Sequence, residues 1–193
     1  MTEMIKDGTG NGYLAKVNKD NQLITRATAL NQHTKSAVDG NYYEAHSGVI
    51  TLGDAVETGI IYIKNGEDWD IIIDKVFVDV WASTAGTGGG TLKYYKNPTI
   101  TGGTDIIPTN TNFSKTDSLV GTFKKSLTTM TGGTTWWVGY FDAGSSVVID
   151  EEKICIPKGY YFGISITAPT GNTSMNIAIN IAMYKLDITL IGK

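Results

Sequence analysis

The fold is decided by residues 70–81, which read Asp-Ile-Ile-Ile-Asp-Lys-Val-Phe-Val-Asp-Val-Trp. In the second half of this stretch Val76, Val78 and Val80 fall on one face of an extended chain, and the residues between them fall on the other. Such alternation is typical of a β-strand that is buried on at least one side. An all-β protein follows if the rest of the chain repeats the pattern.

A second stretch, residues 175–184, predicts a strand with one buried face. Its odd positions, from Met175 to Met183, are all large and apolar, and its even positions are small or polar until Tyr184. With shorter runs bounded by turn residues, we count about eleven candidate strands over residues 47–193, some of which can merge. The shorter runs are residues 48–52, 59–63, 92–95, 119–123, 136–141, 147–149, 153–156, 160–167 and 185–191.

The segments between these runs carry turn residues and show no sustained helical period. They are residues 82–90, 97–118, 131–135 and 169–174. Loops of this kind join antiparallel strands, whereas parallel strands need long crossover connections. We therefore predict an all-β fold, an antiparallel β-sandwich of jelly-roll type, formed by residues 47–193. Residues 23–38 leave room for one or two helical turns.

Residues 1–46 differ in character from the rest of the chain. Residues 7–12 read Asp-Gly-Thr-Gly-Asn-Gly, and two short extended pieces follow on either side of a turn at residues 18–21. We expect an N-terminal arm with a short β-hairpin. An isolated hairpin is marginal in water, so it should dock on its own sandwich, on a neighbouring copy or on a partner. The expected docking side chains are Tyr13, Leu14, Val17, Leu23 and Ile24.

The composition argues against nucleic-acid and membrane partners. Charged residues make up 18% of the chain, the formal net charge is −3, and the 16 Lys and Arg residues are scattered. No basic stripe is available to neutralise a phosphate backbone. No segment approaches the roughly 18 consecutive apolar residues of a membrane span, and the first residues lack the apolar core of a signal peptide. We expect synthesis in a cytoplasm.

Residue types that carry catalysis are sparse. The two histidines, His33 and His46, are far in sequence from the single cysteine, Cys155, and no serine occupies a Gly-x-Ser-x-Gly turn. Cys155 lies in an apolar run and is predicted to be a buried core residue. The sequence therefore predicts a protein that is not an enzyme, with no catalytic residue and no cofactor.

Two acidic clusters raise the alternatives of a glycosidase and a calcium site. Residues 150–153 are interpreted as a solvated turn, and residues 67–70 lack the alternating ligand spacing of a calcium loop. We expect neither cluster to bind a metal. A hydrolase requires at least two of these carboxylates to converge in a cleft. The carboxylates are Glu67, Asp68, Asp70, Asp150, Glu151 and Glu152.

Aromatic residues occur in adjacent pairs along several candidate strands. Neighbouring residues of a strand point to opposite faces, so one member of each pair faces outward wherever the strand has a solvent face. Three interpretations stay open: core packing in a sheet covered on both sides, subunit contact, and a platform for stacking sugars. The candidate surface aromatics are Trp136, Trp137, Tyr94 and Tyr160.

Two parts of the chain resemble a known family. Residues 5–10 read Ile-Lys-Asp-Gly-Thr-Gly, residues 15–18 read Ala-Lys-Val-Asn, and Asn21 and Leu23 follow. The middle of the chain adds Gly-Ile-Ile-Tyr-Ile-Lys-Asn at residues 59–65, Lys-Asn-Pro-Thr at 96–99, Gly-Gly-Thr at 102–104 and Asn-Thr-Asn-Phe at 110–113. These motifs resemble the decoration or cement proteins that accompany the major capsid protein in the heads of tailed bacteriophages.

The resemblance implies a virion structural protein on the outside of the capsid. It implies a β-sandwich of jelly-roll type, often a homotrimer, whose N-terminal arm contacts the major capsid protein and bridges capsid subunits. The alternative is a head-fibre or tail module that binds glycans of the host surface through exposed Trp and Tyr side chains, with the arm as its attachment.

Overall fold

The structure, a computed structural model, describes residues 32–82, 89–142, 146–171 and 175–186, and of residues 32, 33, 82 and 146–153 it describes the backbone alone. These ranges contain one α-helix and 13 strands. The elements are α1 (Gln32–Asp39), β1 (Tyr42–Leu52), β2 (Glu57–Asn65), β3 (Asp70–Ala82), β4 (Gly90–Lys96), β5 (Thr99–Thr101), β6 (Thr104–Asp105), β7 (Thr109–Asn110), β8 (Gly121–Lys125), β9 (Thr129–Thr131), β10 (Thr134–Phe141), β11 (Ser146–Ile156), β12 (Tyr161–Thr167) and β13 (Met175–Leu186).

The two most regular patterns in the sequence form the strands they predict. In β3, Val76, Val78 and Val80 are buried in the core. In β13, the odd positions from Met175 to Met183 are all fully buried. The all-β prediction is confirmed, because antiparallel sheets built from such strands make up nearly all of the regular structure in the described residues.

The sandwich begins earlier than the predicted boundary between residues 46 and 47. That boundary falls inside β1, where Tyr43 and Ala45 are buried and Glu44 and His46 are exposed. Alternation therefore continues across the point at which the composition changes. The predicted hairpin and all five predicted docking side chains belong to residues 1–31, which lie outside the described residues.

Two predictions about connections were wrong. Residues 150–153 do not form a turn, because β11 is continuous and accommodates them with a register shift between Asp150 and Ile154. The predicted loop of residues 97–118 contains three short strands, β5, β6 and β7, which pair with partners elsewhere in the chain. A bulge and two-residue strands leave no periodic signal in a sequence.

The strands form two antiparallel sheets that enclose one core. Sheet I has the order β11-β3-β13-β1-β7, sheet II has the order β10-β4-β12-β2-β8-β6, and β5 and β9 form a separate ribbon. One continuous cluster of buried apolar side chains is drawn from both sheets, with β3 and β13 contributing from sheet I and β2 and β12 from sheet II. The molecule is therefore a β-sandwich over its described residues.

The long strands pair in a nested order. β1 pairs with β13, β2 with β12, β3 with β11 and β4 with β10. Eight strands nested in this way are what results when one long antiparallel hairpin is rolled into two facing sheets. This nested order is the one expected of a jelly roll. The ends of β4 and β11 and the starts of β10 and β12 lie around one pocket.

The β5-β9 ribbon covers part of the outer face of sheet II. A Cβ atom added to Gly163 of β12 would lie 2.8 Å from both Met130 Sδ and Pro98 Cγ, and one added to Gly59 of β2 would lie 3.0 Å from Leu127 Cδ1. Two glycines on adjacent strands thus make room for apolar side chains of the ribbon region. The turn-rich segments that flank the ribbon were predicted as loops.

We expect Gly163→Ala to lower the free energy of unfolding by about 1 to 3 kcal/mol, because the new methyl group displaces Met130 or Pro98. The matched control is Gly53→Ala, since nothing lies within 4 Å of a Cβ at Gly53. Urea unfolding of both variants measures the difference. Equal stability of the two variants would show that the ribbon does not pack on Gly163.

Candidate functional site: an aromatic pocket beside an edge strand

The four candidate surface aromatics occupy different environments. Trp136 and Tyr160 are 46% and 49% exposed, whereas Tyr94 is fully buried and was wrongly predicted as a surface residue. Trp137 is partly buried and packs against the core. Its ring lies over Gly139, where a Cβ would meet Cη2 at 2.2 Å. The structure therefore leaves two of the four rings open to solvent.

Trp136 and Tyr160 line the same pocket, which has a volume of about 330 Å³. The pocket lies where β4 and β11 end and where β10 and β12 begin. Most of its wall is apolar, a composition typical of sites that hold ligands or side chains. The lining residues are Lys96, Asn97, Trp136, Ile154, Cys155, Ile156, Pro157, Tyr160, Tyr161 and Phe162.

Buried Tyr94 supports the aromatic wall of the pocket. Its ring centroid lies 5.8 Å from that of Trp136, 4.7 Å from that of Trp137 and 5.3 Å from that of Phe162. The contact with Phe162 is edge-to-face, one of the arrangements that aromatic pairs prefer. Tyr94 thus connects the half-exposed Trp136 to the core of the sandwich.

Two asparagines hold the remaining walls. Asn97 takes a left-handed backbone conformation with φ of 54°. Its side-chain oxygen accepts a hydrogen bond from Tyr161 N at 3.0 Å, and its backbone N–H donates one to Tyr161 O at 2.9 Å. Fully buried Asn65 donates from Nδ2 to Ile156 O and Trp69 O at 2.7 and 2.8 Å. Asn65 N also donates to Tyr160 O at 3.1 Å. These bonds anchor the segment that carries Tyr160.

Cys155 is exposed, and its prediction as a buried core residue was wrong. Its neighbours Ile154 and Ile156 face the core, so alternation directs Cys155 to the opposite side of β11. The thiol donates to Asp70 Oδ2 at 3.4 Å. The side chain is exposed as a whole, but its sulfur is partly buried in the pocket wall. This partial burial, followed by the hydrogen bond and the charge of Asp70, raises the pKa of the Cys155 thiol to about 11.

We expect Cys155 to react slowly with a thiol reagent such as a disulfide dye. At pH 8 a pKa near 11 leaves roughly 100-fold less thiolate than an ordinary cysteine has, and the thiolate is the reactive form. Asp70→Asn should speed the reaction because it removes the negative charge beside the thiol, one of the causes of the raised pKa, and Asp68→Asn should not. Since the chain has one cysteine, absorbance of the released dye measures this site alone. A folded-state rate equal to that in urea would contradict the raised pKa.

The acidic residues at 67–70 are divided among separate structural roles. Glu67 is buried, accepts a hydrogen bond from Val120 N at 2.6 Å and forms an ion pair with Lys185 at 3.1 Å. Asp68 is exposed and contacts Lys158. Asp70 contacts Cys155. The side chains of the other three carboxylates that the hydrolase alternative names, residues 150–152, are not described. Glu67, Asp68 and Asp70 each have a different partner.

A polar network on the outer face of sheet II was not predicted. Glu57 Oε2 accepts a hydrogen bond from Lys93 Nζ at 2.6 Å, and Oε1 accepts one from Ser165 Oγ at 2.6 Å and one from Tyr95. Burial opposes ionisation of Glu57, but the hydrogen bonds from Lys93, Ser165 and Tyr95 outweigh it and lower the pKa of this carboxyl. The network joins β2, β12 and β4, and its residues come from separate parts of the chain.

Three of the four sheet edges carry features that hinder pairing with another chain. β11 includes the acidic residues 150–152 and a register shift. β1 has a register shift at residues 46–49, where Gly48 takes a φ of 63°, and its outer neighbour β7 is two residues long. The β6-β8 edge is short and charged, with Asp105 and Lys124 2.7 Å apart.

The fourth edge, β10, carries no charged residue and no proline. Val138 and Tyr140, on its outer face, are 44% and 81% exposed. Among the residues that the structure describes, no strand lies on the outer side of β10. The backbone groups on that side have no strand partner within these residues. An uncharged run of aromatic and β-branched residues is the signal in the sequence that could have identified this edge.

Comparisons with known proteins found little. No protein-family model matches the chain, and no curated protein matches it. "The 2.6A structure of Infectious Bursal Virus Derived T=1 Particles" shares 10% identity at a TM-score of 0.20, over 90% of this chain and 44% of that chain. "Structure of infectious bursal disease virus Gt strain" shares 15% identity at a TM-score of 0.14, over 82% of this chain and 41% of that chain. The chain spans less than half of either structure, and TM-scores this low indicate neither fold nor function.

No helix in the described residues has the length and apolar character needed to cross a membrane. In the same ranges, no group of three or more His, Cys, Asp or Glu side chains is arranged to hold a metal ion.

Proposed function

We propose that the chain is a virion structural protein of a tailed bacteriophage, which decorates or cements the outside of the capsid and works by binding. The observation that carries the proposal is the apolar pocket of about 330 Å³ beside the uncharged edge of β10. Half-exposed Trp and Tyr rings in such a pocket are the side chains that dominate protein interfaces. The motifs at residues 5–10 and 15–18, which resemble decoration proteins, supply the viral context.

In this role the protein is made in the host cytoplasm and ends on the capsid surface, with the major capsid protein as its partner. The arm supplies one contact through Tyr13, Leu14, Val17, Leu23 and Ile24, and the sandwich supplies another. Contact with two capsid subunits adds buried area to the assembled head and so stabilises it against dissociation.

Binding to undecorated heads tests the proposal. The full chain is compared with a variant in which Tyr13, Leu14, Val17, Leu23 and Ile24 are all replaced by Ser, and co-sedimentation measures the bound fraction. We expect the variant to bind at least tenfold more weakly, because several anchoring side chains contribute to such a contact. Circular dichroism checks that the sandwich is intact. Undiminished binding by the variant, or no binding by the full chain, would refute the proposal.

A second candidate function is glycan binding, favoured by the two half-exposed rings in one pocket, Trp136 and Tyr160, with Lys96 and Asn97 beside them. A glycan array tests it with the wild-type chain, Trp136→Ala and, as a control on another surface, Trp81→Ala. Binding lost with Trp136→Ala alone would support this candidate. Protection of Cys155 by the same sugar would place the glycan in the pocket.

A further inference from the structure

We propose that β10 pairs with β10 of a second copy of this chain, antiparallel and about a two-fold axis at Gly139. The two six-stranded sheets would then join into one sheet that crosses the interface. This inference goes beyond the proposed function and does not depend on it, since it concerns how copies associate in solution. It rests on the availability, the chemistry and the symmetry of the strand.

β10 differs from the other three edges of the two sheets. β11, β1 and the β6-β8 edge carry charges, register shifts or very short strands, which are the devices that keep edges from pairing. β10 has eight residues and none of these charges. Its one irregularity is the register shift between Thr135 and Trp137, at the start of the strand. Residues 137–141 are regular.

The chemistry favours a second copy as the partner. A strand that pairs with itself about a two-fold axis places its own residues opposite one another, so any charge near the axis meets a like charge. β10 has no such charge. Its exposed side chains, Val138 and Tyr140, are a β-branched and an aromatic residue, the types that stabilise cross-strand pairs.

The sequence of the regular segment has the symmetry that the pairing needs. With Gly139 on the axis, Val138 lies opposite Tyr140 of the second copy, and Trp137 lies opposite Phe141 of the second copy. The first pair shares the outer face and the second pair shares the inner face. Gly139, which carries no side chain, meets its own equivalent at the centre, where two strands approach to about 5 Å.

Sedimentation velocity of the full chain over a range of concentrations tests the proposal. We expect a monomer–dimer equilibrium for the wild-type chain. Val138→Lys combined with Tyr140→Lys should raise the dissociation constant of the dimer at least tenfold, because lysine then lies opposite lysine at two places. Val138→Lys combined with Tyr140→Glu puts opposite charges at the same two places. This second variant should have a dissociation constant within a few-fold of that of the wild-type dimer.

The control variant is Phe113→Lys, which adds a charge at a fully exposed position outside β10 and should leave the dimer unchanged. Hydrogen exchange supplies an independent readout, with slow exchange of amides in residues 137–141 that becomes at least tenfold faster on dilution to monomer. A monomer at every concentration would overturn the inference. A dimer that persists in both double variants would also overturn it. The same holds for a homotrimer, the state implied by the family resemblance, if its β10 amides exchange freely.

Discussion

Replacing Glu67 with Ala should lower the free energy of unfolding by about 3 kcal/mol, among the largest effects of a single substitution in this protein. The side chain is 8% exposed, and its partner Lys185 is 17% exposed. Removal of the carboxylate leaves the shielded Lys185 ammonium without its ion pair at 3.1 Å and leaves Val120 N without its acceptor at 2.6 Å. Urea unfolding followed by circular dichroism measures the change.

Two further variants divide this effect into its parts. Glu67→Gln keeps an acceptor for Val120 N but loses the charge, so its stability should lie between those of the wild-type chain and Glu67→Ala. Asp68→Ala removes a neighbouring carboxylate that is exposed in its contact with Lys158, and should leave the unfolding midpoint unchanged. A midpoint for Glu67→Ala that matches the Asp68 variant would show that the buried pair does not stabilise the fold.

Replacing Tyr94 with Ala should cost about 4 kcal/mol, the range measured for large aromatic residues removed from protein cores. Tyr94 is fully buried and contacts Trp136, Trp137 and Phe162. Its loss opens a cavity beneath the pocket wall and removes the support of both tryptophans. Thermal unfolding measures the stability, and a red shift of tryptophan fluorescence reports the greater exposure of the indole rings.

Tyr160→Ala is the matched control, because this tyrosine is half-exposed and lies outside the strands. Its effect on stability should stay below about 1 kcal/mol. The two variants thus distinguish a core aromatic residue from a pocket aromatic residue, although the sequence predicts both as surface aromatics. Comparable losses for the two would mean that Tyr160 is also a structural residue.

The misassignment of Tyr94 and Cys155 has a common physical cause. Alternation along a strand shows which residues share a face, but a run such as Ile154-Cys155-Ile156 or Tyr94-Tyr95 is apolar or aromatic on both faces. Which face meets the core is set by the neighbouring strands. Tyr94 lies opposite Ile164 of β12 and Trp137 of β10, whose side chains turn inward.

The acidic cluster at residues 67–70 also has contacts that its sequence does not predict. Residues 67–70 are adjacent in sequence, yet Glu67 contacts Lys185, Asp68 contacts Lys158 and Asp70 contacts Cys155. Their partners come from distant strands or turns. A sequence shows that the carboxylates are near one another, but it does not show which cation or donor each one meets.

By itself the sequence determined the strand-rich character of the protein and the buried faces of β3 and β13, because side-chain alternation is a local property with a period of two residues. Tertiary structure alone decided that β4, β10, β11 and β12 meet at the aromatic pocket, that the β5-β9 ribbon covers Gly163, and that uncharged β10 ends the strand order of sheet II among the described residues. These features depend on pairing between strands far apart in the chain, and that pairing is set by the packing of the whole core.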